Sequence, residues 1–386
     1  MAAYARFDDL RTGVAWEFGQ AAYELAAGRP RDVAGLLAEV EAATADGWWA
    51  YGYVAYEAAA GLDPSLAVHP AQSGLPLAWF GVCAPPALVP TVRAPDPAAY
   101  QVGEWRVAWD EDTHRRRVAA VRRQIAAGET YQANLTTRMS AGADGDSRAF
   151  YAALALGQRG AFNAYLDLGR FAIASASPEL FFETAAREVR MRPMKGTARR
   201  GRSPAEDAAI VAALRASEKE RAENIMIVDL VRNDLARVAA TGSVRVTSLC
   251  RAEQYETVHQ LTSGVSARLR PDVGLVEVFR ALFPCGSVTG APKPRTMEII
   301  RDLEDGPRGV YCGAIGMLAP PSAPFQARFN VPIRTAVVDR ATGTAVYGTG
   351  GGITWDSAAA DEYAELRAKA EVLTRLSRPS RPRIPR

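Results

Sequence analysis

Lysine is scarce in this sequence: the 386 residues contain four lysines against forty-two arginines. Arginine does not give up its proton in a protein, so chemistry that needs a neutral primary amine has few side chains to fall on. Cysteine is also sparse. Cys83, Cys250, Cys285 and Cys312 stand far apart with no CxxC pair, which excludes a zinc ribbon or a dithiol redox motif and predicts reduced, buried thiols in a cytoplasmic protein. No apolar run approaches the length of a membrane span, and the start, MAAYARFDDL, has acid early and no apolar core of a signal peptide. The formal charge is only +3 and aromatics do not interleave with basic clusters, so neither nucleic acid nor membrane is expected as a partner. Neither GxGxxG nor GxxxxGK[ST] occurs, and no repeat with a period of 20–50 residues is visible.

What is present is an alternation of strand-like blocks and long helical runs, the pattern of a mixed α+β chain. The first hundred residues are rich in Ala, Pro and aromatics, with GWWAYGYVAYEAAAGLD (47–63) the densest aromatic patch. Residues 110–139 read as a helix stopped near Gly128 and then a strand; 150–193 as short strands; 203–240 as one helical stretch; 309–354 as strands; and 357–377 as a final helix. Three parts are expected: an N-terminal segment, 1–105, packing on the same body; a catalytic domain, 106–377; and a disordered basic tail, 378–386.

Two helical stretches each carry two glutamates three residues apart, Glu220 and Glu223 in SEKERAEN and Glu362 and Glu365 in DEYAEL. Residues i and i+3 share a helix face. Two such faces meeting across a cleft would gather four carboxylates, which need a cation, and hard oxygen ligands without His or Cys favour Mg²⁺. The plain alternatives are a capping box from Ser217 to Glu220 and a surface ion pair from Glu365 to Lys369. The run Gly350–Gly352 ends a strand and reads either as an anion-holding loop or as a flexible turn. Arg334, in the apolar VPIRTAVV, either bridges a buried acid or grips a substrate carboxylate. His259 is either a satisfied core residue or a catalyst. Together these features predict Mg²⁺ beside a surface for a small polyanionic carboxylate.

The motifs GETYQANLT, SPELFFE, MKGTARRG, EKERAENIMIVDLVRNDL, ETVHQLTS, LFPCGSVTGAPKPRTMEII, RGVYCGAIG, FNVPIRTA and GGGITWDSAAADEYAELRAKA occur in that order over about residues 110–375. In them the chain strongly resembles the chorismate-utilising enzymes. The resemblance implies an α+β fold of two large antiparallel β-sheets packed together with helices outside. It implies Mg²⁺ held by Glu223 and Glu365, with Glu220 and Glu362 acting directly or through waters. Gly350, Gly351, Gly352, Tyr311 and Arg334 match positions holding a substrate carboxylate or the enolpyruvyl arm, and Lys369 matches one beside the metal-bound carboxylate. Gly196, Thr197, His259 and Thr289 match other pocket positions, with His259 and Thr289 taken as catalytic.

Two positions separate branches of that family. Gln132 stands where the isochorismate and salicylate synthases have a water-activating lysine. Pro193-Met194-Lys195-Gly196-Thr197 carries the lysine typical of the aminodeoxychorismate synthase branch, where anthranilate synthases read P-I-A-G-T. The resemblance therefore implies amination of chorismate at C4, with a neutral Lys195 attacking C2 and ammonia then displacing it. Burial and the nearby cation would keep that amine neutral. Amination at C2 with loss of pyruvate, as in anthranilate synthase, is the enzymatic alternative, and an inactive chorismate-binding regulatory subunit the non-enzymatic one. No amidotransferase or pyridoxal-phosphate lyase sequence appears, so a separate glutamine amidotransferase subunit is expected to supply ammonia. Cys285 departs from the family's usual Gly-Gly-Ser after Phe-Pro.

Overall fold

The computed structural model describes residues 3–71, 74–255 and 258–377; the basic tail expected at 378–386 lies outside them. Two large sheets form the body, of eleven and ten strands. In the first, neighbours run Gln132–Gly145, Thr344–Ile353, Thr335–Asp339, Phe171–Ser177, Phe162–Leu168 and Tyr4–Asp9. The second includes, in order, Met194–Arg199, Val258–Arg268, Glu188–Arg192, Leu180–Ala185, Ala327–Asn330, Ala314–Leu318 and Trp49–Val54. The paired strands are antiparallel.

The first hundred residues are woven into both sheets. Tyr4–Asp9 pairs with Phe162–Leu168, and Trp49–Val54, from the aromatic patch, pairs with Ala314–Leu318. The alternate residues Tyr51 and Tyr53 are fully buried and meet Phe7, Phe18, Leu166, Ile173, Ile315 and Met317 in a core between the sheets. That is what the period of two dictates when one face of each strand is dry. A second core lies between the ten-stranded sheet and the helices Val33–Ala45, Glu218–Ala236 and Leu275–Leu282, and a third packs Ser147–Gln158 and Glu371–Leu376 on the eleven-stranded sheet.

The helical stretch at 203–240 is two helices, Pro204–Ala216 and Glu218–Ala236. Ser217 separates them in an extended conformation (ψ 114°) and caps the second, its Oγ accepting from the Glu220 N–H at 3.3 Å. A serine that can cap makes the break inexpensive. The final helix is likewise divided, into Ala359–Lys369 and Glu371–Leu376.

Two strands carry local features that shape the site. The lysine stretch is a strand, Met194–Arg199, with a bulge against Val258–Arg268 between Lys195 and Thr197. Gly196, at φ +82°, makes the extra residue possible. The glycine run is strand as well. Gly350, Gly351 and Gly352 pair with Thr136, Leu135 and Asn134, so they form neither a flexible turn nor a nest of successive amides.

Candidate active site

One cavity collects residues from both sheets and from the two glutamate helices. Lys195, Gly196, Thr197, Glu220, Glu223, Tyr311, Arg334, Gly350, Gly352, Glu362, Glu365 and Lys369 all line it. The bulge at Gly196 explains how three consecutive strand residues, Lys195 to Thr197, reach the same space, since a regular strand would turn alternate ones away. The glycines explain how closely the side chains approach. A Cβ on Gly352 would stand 2.8 Å from both Lys195 Nζ and Gln132 Nε2, and one on Gly196 would stand 2.9 Å from Glu220 Oε2. Gly351 has more room, the nearest atoms being Glu362 Oε2 at 3.3 Å and Lys369 Nζ at 3.6 Å.

The four glutamates share one field. Burial raises Glu220, and Glu365 and Glu362 push it further; burial also raises Glu223, with Glu220 and Glu365 adding to it. Burial raises Glu362 against a hydrogen bond from Ser357 Oγ at 2.7 Å. Glu365 is the exception: burial would raise it, but Lys369, 2.8 Å away, brings it below its usual value. Of the plain alternatives for these residues, the Glu365–Lys369 pair forms, and Ser217 caps its helix without completing a capping box, since the Ser217 N–H goes to the Ala213 carbonyl; Glu220, Glu365 and Lys369 also face the cavity. Among the described residues, no three acidic or imidazole groups converge tightly enough to clasp one ion as they stand. The donor set still fits a hard divalent cation: four carboxylates, three of them held towards neutrality by burial and mutual repulsion, with no sulfur or imidazole among them.

At the other end of the cavity Arg334 sits just before the strand Thr335–Asp339, at φ +53°, rather than within it. Its Nη1 donates to Gln158 Oε1 at 2.5 Å. Among the described residues no carboxylate pairs with it, which leaves the anion-gripping reading of this arginine open.

Two expected residues lie elsewhere. His259 belongs to the strand Val258–Arg268, in which Gln260 faces the cavity. Strand alternation turns His259 to the opposite face, where its Nε2 meets Asp207 Oδ1 at 2.7 Å in a separate cleft. Asp207 also accepts from Arg200 and from the Gly201 N–H, and these contacts hold it well below the usual carboxylate range. His259 thus fastens the helix Pro204–Ala216 to the sheet. Thr289 is fully buried behind the cavity wall. Its hydroxyl donates to the Cys285 carbonyl at 3.1 Å, and its carbonyl accepts from the Asn134 N–H at 2.7 Å. Cys285 is buried too, its thiol pushed up to about 12 by burial. It accepts from Ser287 Oγ at 3.3 Å, a hydroxyl that does line the cavity.

Sequence reasoning missed several lining residues. Glu179, in SPELFFE, is 2 % exposed, and burial pushes its carboxyl up to about 7 against the pull of Ser287 and Lys195. Lys219 and Gln260 line the cavity as well. The scarcity of lysine was the available signal for Lys219. Three of the four lysines, Lys195, Lys219 and Lys369, line this one cavity, and the fourth, Lys293, is buried against Asp234 at 2.9 Å.

A two-sheet fold with paired glutamate helices, three lysines and an arginine around one cavity defines a class of enzyme-like site for a small polyanion. The comparisons identify the class. The family model for chorismate binding enzyme matches residues 21–375, and the chain belongs to that family. An aminodeoxychorismate synthase from Streptomyces griseus is 46% identical over 284 residues, 73% of this chain and 38% of that protein. An aminodeoxychorismate synthase component 1 from Escherichia coli (strain K12) is 38% identical over 262 residues, 68% of this chain and 57% of that one. The chain thus spans well under two thirds of the length of either. Among solved structures, anthranilate synthase component I from Streptococcus pneumoniae TIGR4 superposes with a TM-score of 0.80 at 25% identity, covering 94% of this chain and 92% of that one. The described cysteines are free, and no helix among the described residues is long and apolar enough to cross a membrane.

Proposed function

We propose that this chain aminates chorismate at C4 to give 4-amino-4-deoxychorismate, with Mg²⁺ as cofactor and ammonia from a separate glutamine amidotransferase subunit. The observation that carries the reading is the position of Lys195. Its amine packs against Gly352 in the cavity that also holds Glu179 and both glutamate helices. The name of the Escherichia coli relative, a component 1, supports a partner subunit.

Chorismate carries two carboxylates, and the cavity has two ends that suit them. Arg334 and Tyr311 take the enolpyruvyl carboxylate. Glu223 and Glu365, with Glu220 and Glu362, would hold Mg²⁺, which would supply the positive charge that lets the ring carboxylate approach four glutamates. Lys195 then attacks C2, both ring double bonds shift (C1=C2 to C1=C6 and C5=C6 to C4=C5), and the C4 hydroxyl departs. Glu179, its carboxyl lifted by burial to about 7, accepts the proton Lys195 releases and returns it to the departing hydroxyl, which leaves as water. Ammonia attacks C4, both double bonds shift back, and Lys195 leaves C2 carrying the proton that the new amine loses. Each turnover consumes chorismate and ammonia and yields the amino product and water.

The chain incubated with chorismate, Mg²⁺ and ammonium at alkaline pH should yield a product with the mass of aminodeoxychorismate. The likeness to an anthranilate synthase favours a second reading, amination at C2; anthranilate with release of pyruvate would replace the first reading with that one. Lys195→Ala should lower the rate by at least about a hundredfold, the scale of losing a covalent catalyst. An unchanged rate and ammonia dependence would remove the covalent step.

A further inference from the structure

Tyr347, on the strand Thr344–Ile353, lines the cavity near Arg334 and is 1 % exposed. Its ring packs edge-on against Trp105, centroids 6.1 Å apart, which fixes the direction of the side chain. Its hydroxyl has no hydrogen-bond partner among the described residues. Most buried hydroxyls are paired, so an unpaired one in a cavity wall points to a group the cavity is built to receive. The ladder sets Tyr347 opposite Ala336, two residues along from Arg334. Burial pushes the phenol up and the Arg334 cation pulls against it, leaving it protonated. The Arg334 cation is near enough to act on the phenol without bonding to it, so the protonated hydroxyl keeps its hydrogen free for a group in the cavity. The Arg334 fork is held at one corner by Gln158, and its other donors likewise lack an acidic partner among the described residues.

We propose that Tyr347 is a substrate-binding residue whose hydroxyl donates to the same ligand carboxylate that Arg334 grips. The ligand class is a dianion with carboxylates at both ends, and Tyr347 with Arg334 selects the carboxylate remote from the glutamates. On the reading proposed above, which this inference rests on, that group is the enolpyruvyl carboxylate of chorismate. The hydroxyl is then a feature kept for binding at the expense of the empty protein's stability.

Tyr347→Phe separates the two effects, because it keeps the ring on Trp105 and removes only the hydroxyl. Chorismate binding in the presence of Mg²⁺, measured by calorimetry, should weaken about tenfold, the scale of one hydrogen bond to a charged group. The Tm without ligand should stay level or rise, since an unpaired buried hydroxyl is removed, and the rise in Tm on adding chorismate should shrink. Chorismate esterified at the enolpyruvyl carboxylate should bind the variant and the parent about equally. Equal chorismate affinity in parent and variant, or a ligand-free Tm several degrees lower in the variant, overturns the assignment. If the parent chain binds no chorismate at all, the functional reading fails first and this one with it.

Discussion

Glu179 shows how one buried carboxyl ties stability to chemistry. Its folded pKa of about 7 lies above the usual value of 4.5, so between those two pH values the folded chain binds more protons than the unfolded one. Stability contributed by this group is full below about pH 4.5 and is lost as pH rises to about 7. Glu179→Gln should flatten that slope in denaturant unfolding followed across pH 4–8, and should leave the variant as stable as the parent or more so at pH 8. The same substitution should remove the proton acceptor and depress turnover by at least about a hundredfold. A variant that loses stability at pH 8 while keeping its rate would show that the carboxylate is structural. Lys293 gives the contrast. It is buried and paired with Asp234 at 2.9 Å, outside the cavity lining. Lys293→Met should cost about 3 kcal/mol by stranding Asp234, with the KM for chorismate unchanged in the fraction that stays folded.

At the scale of elements, the strand Thr344–Ile353 and the bulged strand Met194–Arg199 decide what can face the cavity. An alanine at Gly352 would press on Lys195 Nζ and Gln132 Nε2, both 2.8 Å from its Cβ, whereas at Gly351 the nearest atom is 3.3 Å away. Gly352→Ala should therefore lower kcat/KM by at least about tenfold and Gly351→Ala by much less, since displacing a reacting group by a fraction of an ångström is enough. If the order is reversed, Lys195 does not work from beside Gly352. The cap at Ser217 makes an independent claim. Ser217→Ala should cost about 1 kcal/mol and loosen the first turn carrying Glu220, seen as a raised Mg²⁺ requirement.

For the whole molecule, the N-terminal segment holds the loop that leads to Tyr311. Glu57 accepts from the backbone N–H groups of Arg308 and Gly309 at 2.7 and 2.9 Å, and burial lifts its carboxyl to about 7. Arg308 in turn pairs with Glu304 at 2.7 Å and donates to the Asn134 carbonyl. Glu57→Ala should strand two buried amides at a cost of about 2–4 kcal/mol and raise KM through Tyr311. A chain beginning at residue 106 loses strands from both sheets and should show no cooperative unfolding transition by circular dichroism.

The sequence by itself determined the glutamate pairs, because i and i+3 share a helix face wherever that helix lies, and the chemical capacity of Lys195, because only lysine among the cations can present a neutral amine. Its motifs, in order, determined the family. Which residues meet was decided by tertiary structure. The bulge at Gly196 turns three neighbours into one space, and the packing of one sheet on the other brings Gly352 beside Lys195 from more than 150 positions away in the chain. His259 and Gln260 illustrate the limit. They are adjacent in sequence, and only the sheet's register decides that the glutamine faces the cavity while the histidine holds a helix. Glu179 and Tyr347 look like ordinary strand residues until packing buries their polar atoms beside the reacting groups. Local rules describe one chain segment at a time, whereas burial and pairing depend on what the rest of the fold lays against it.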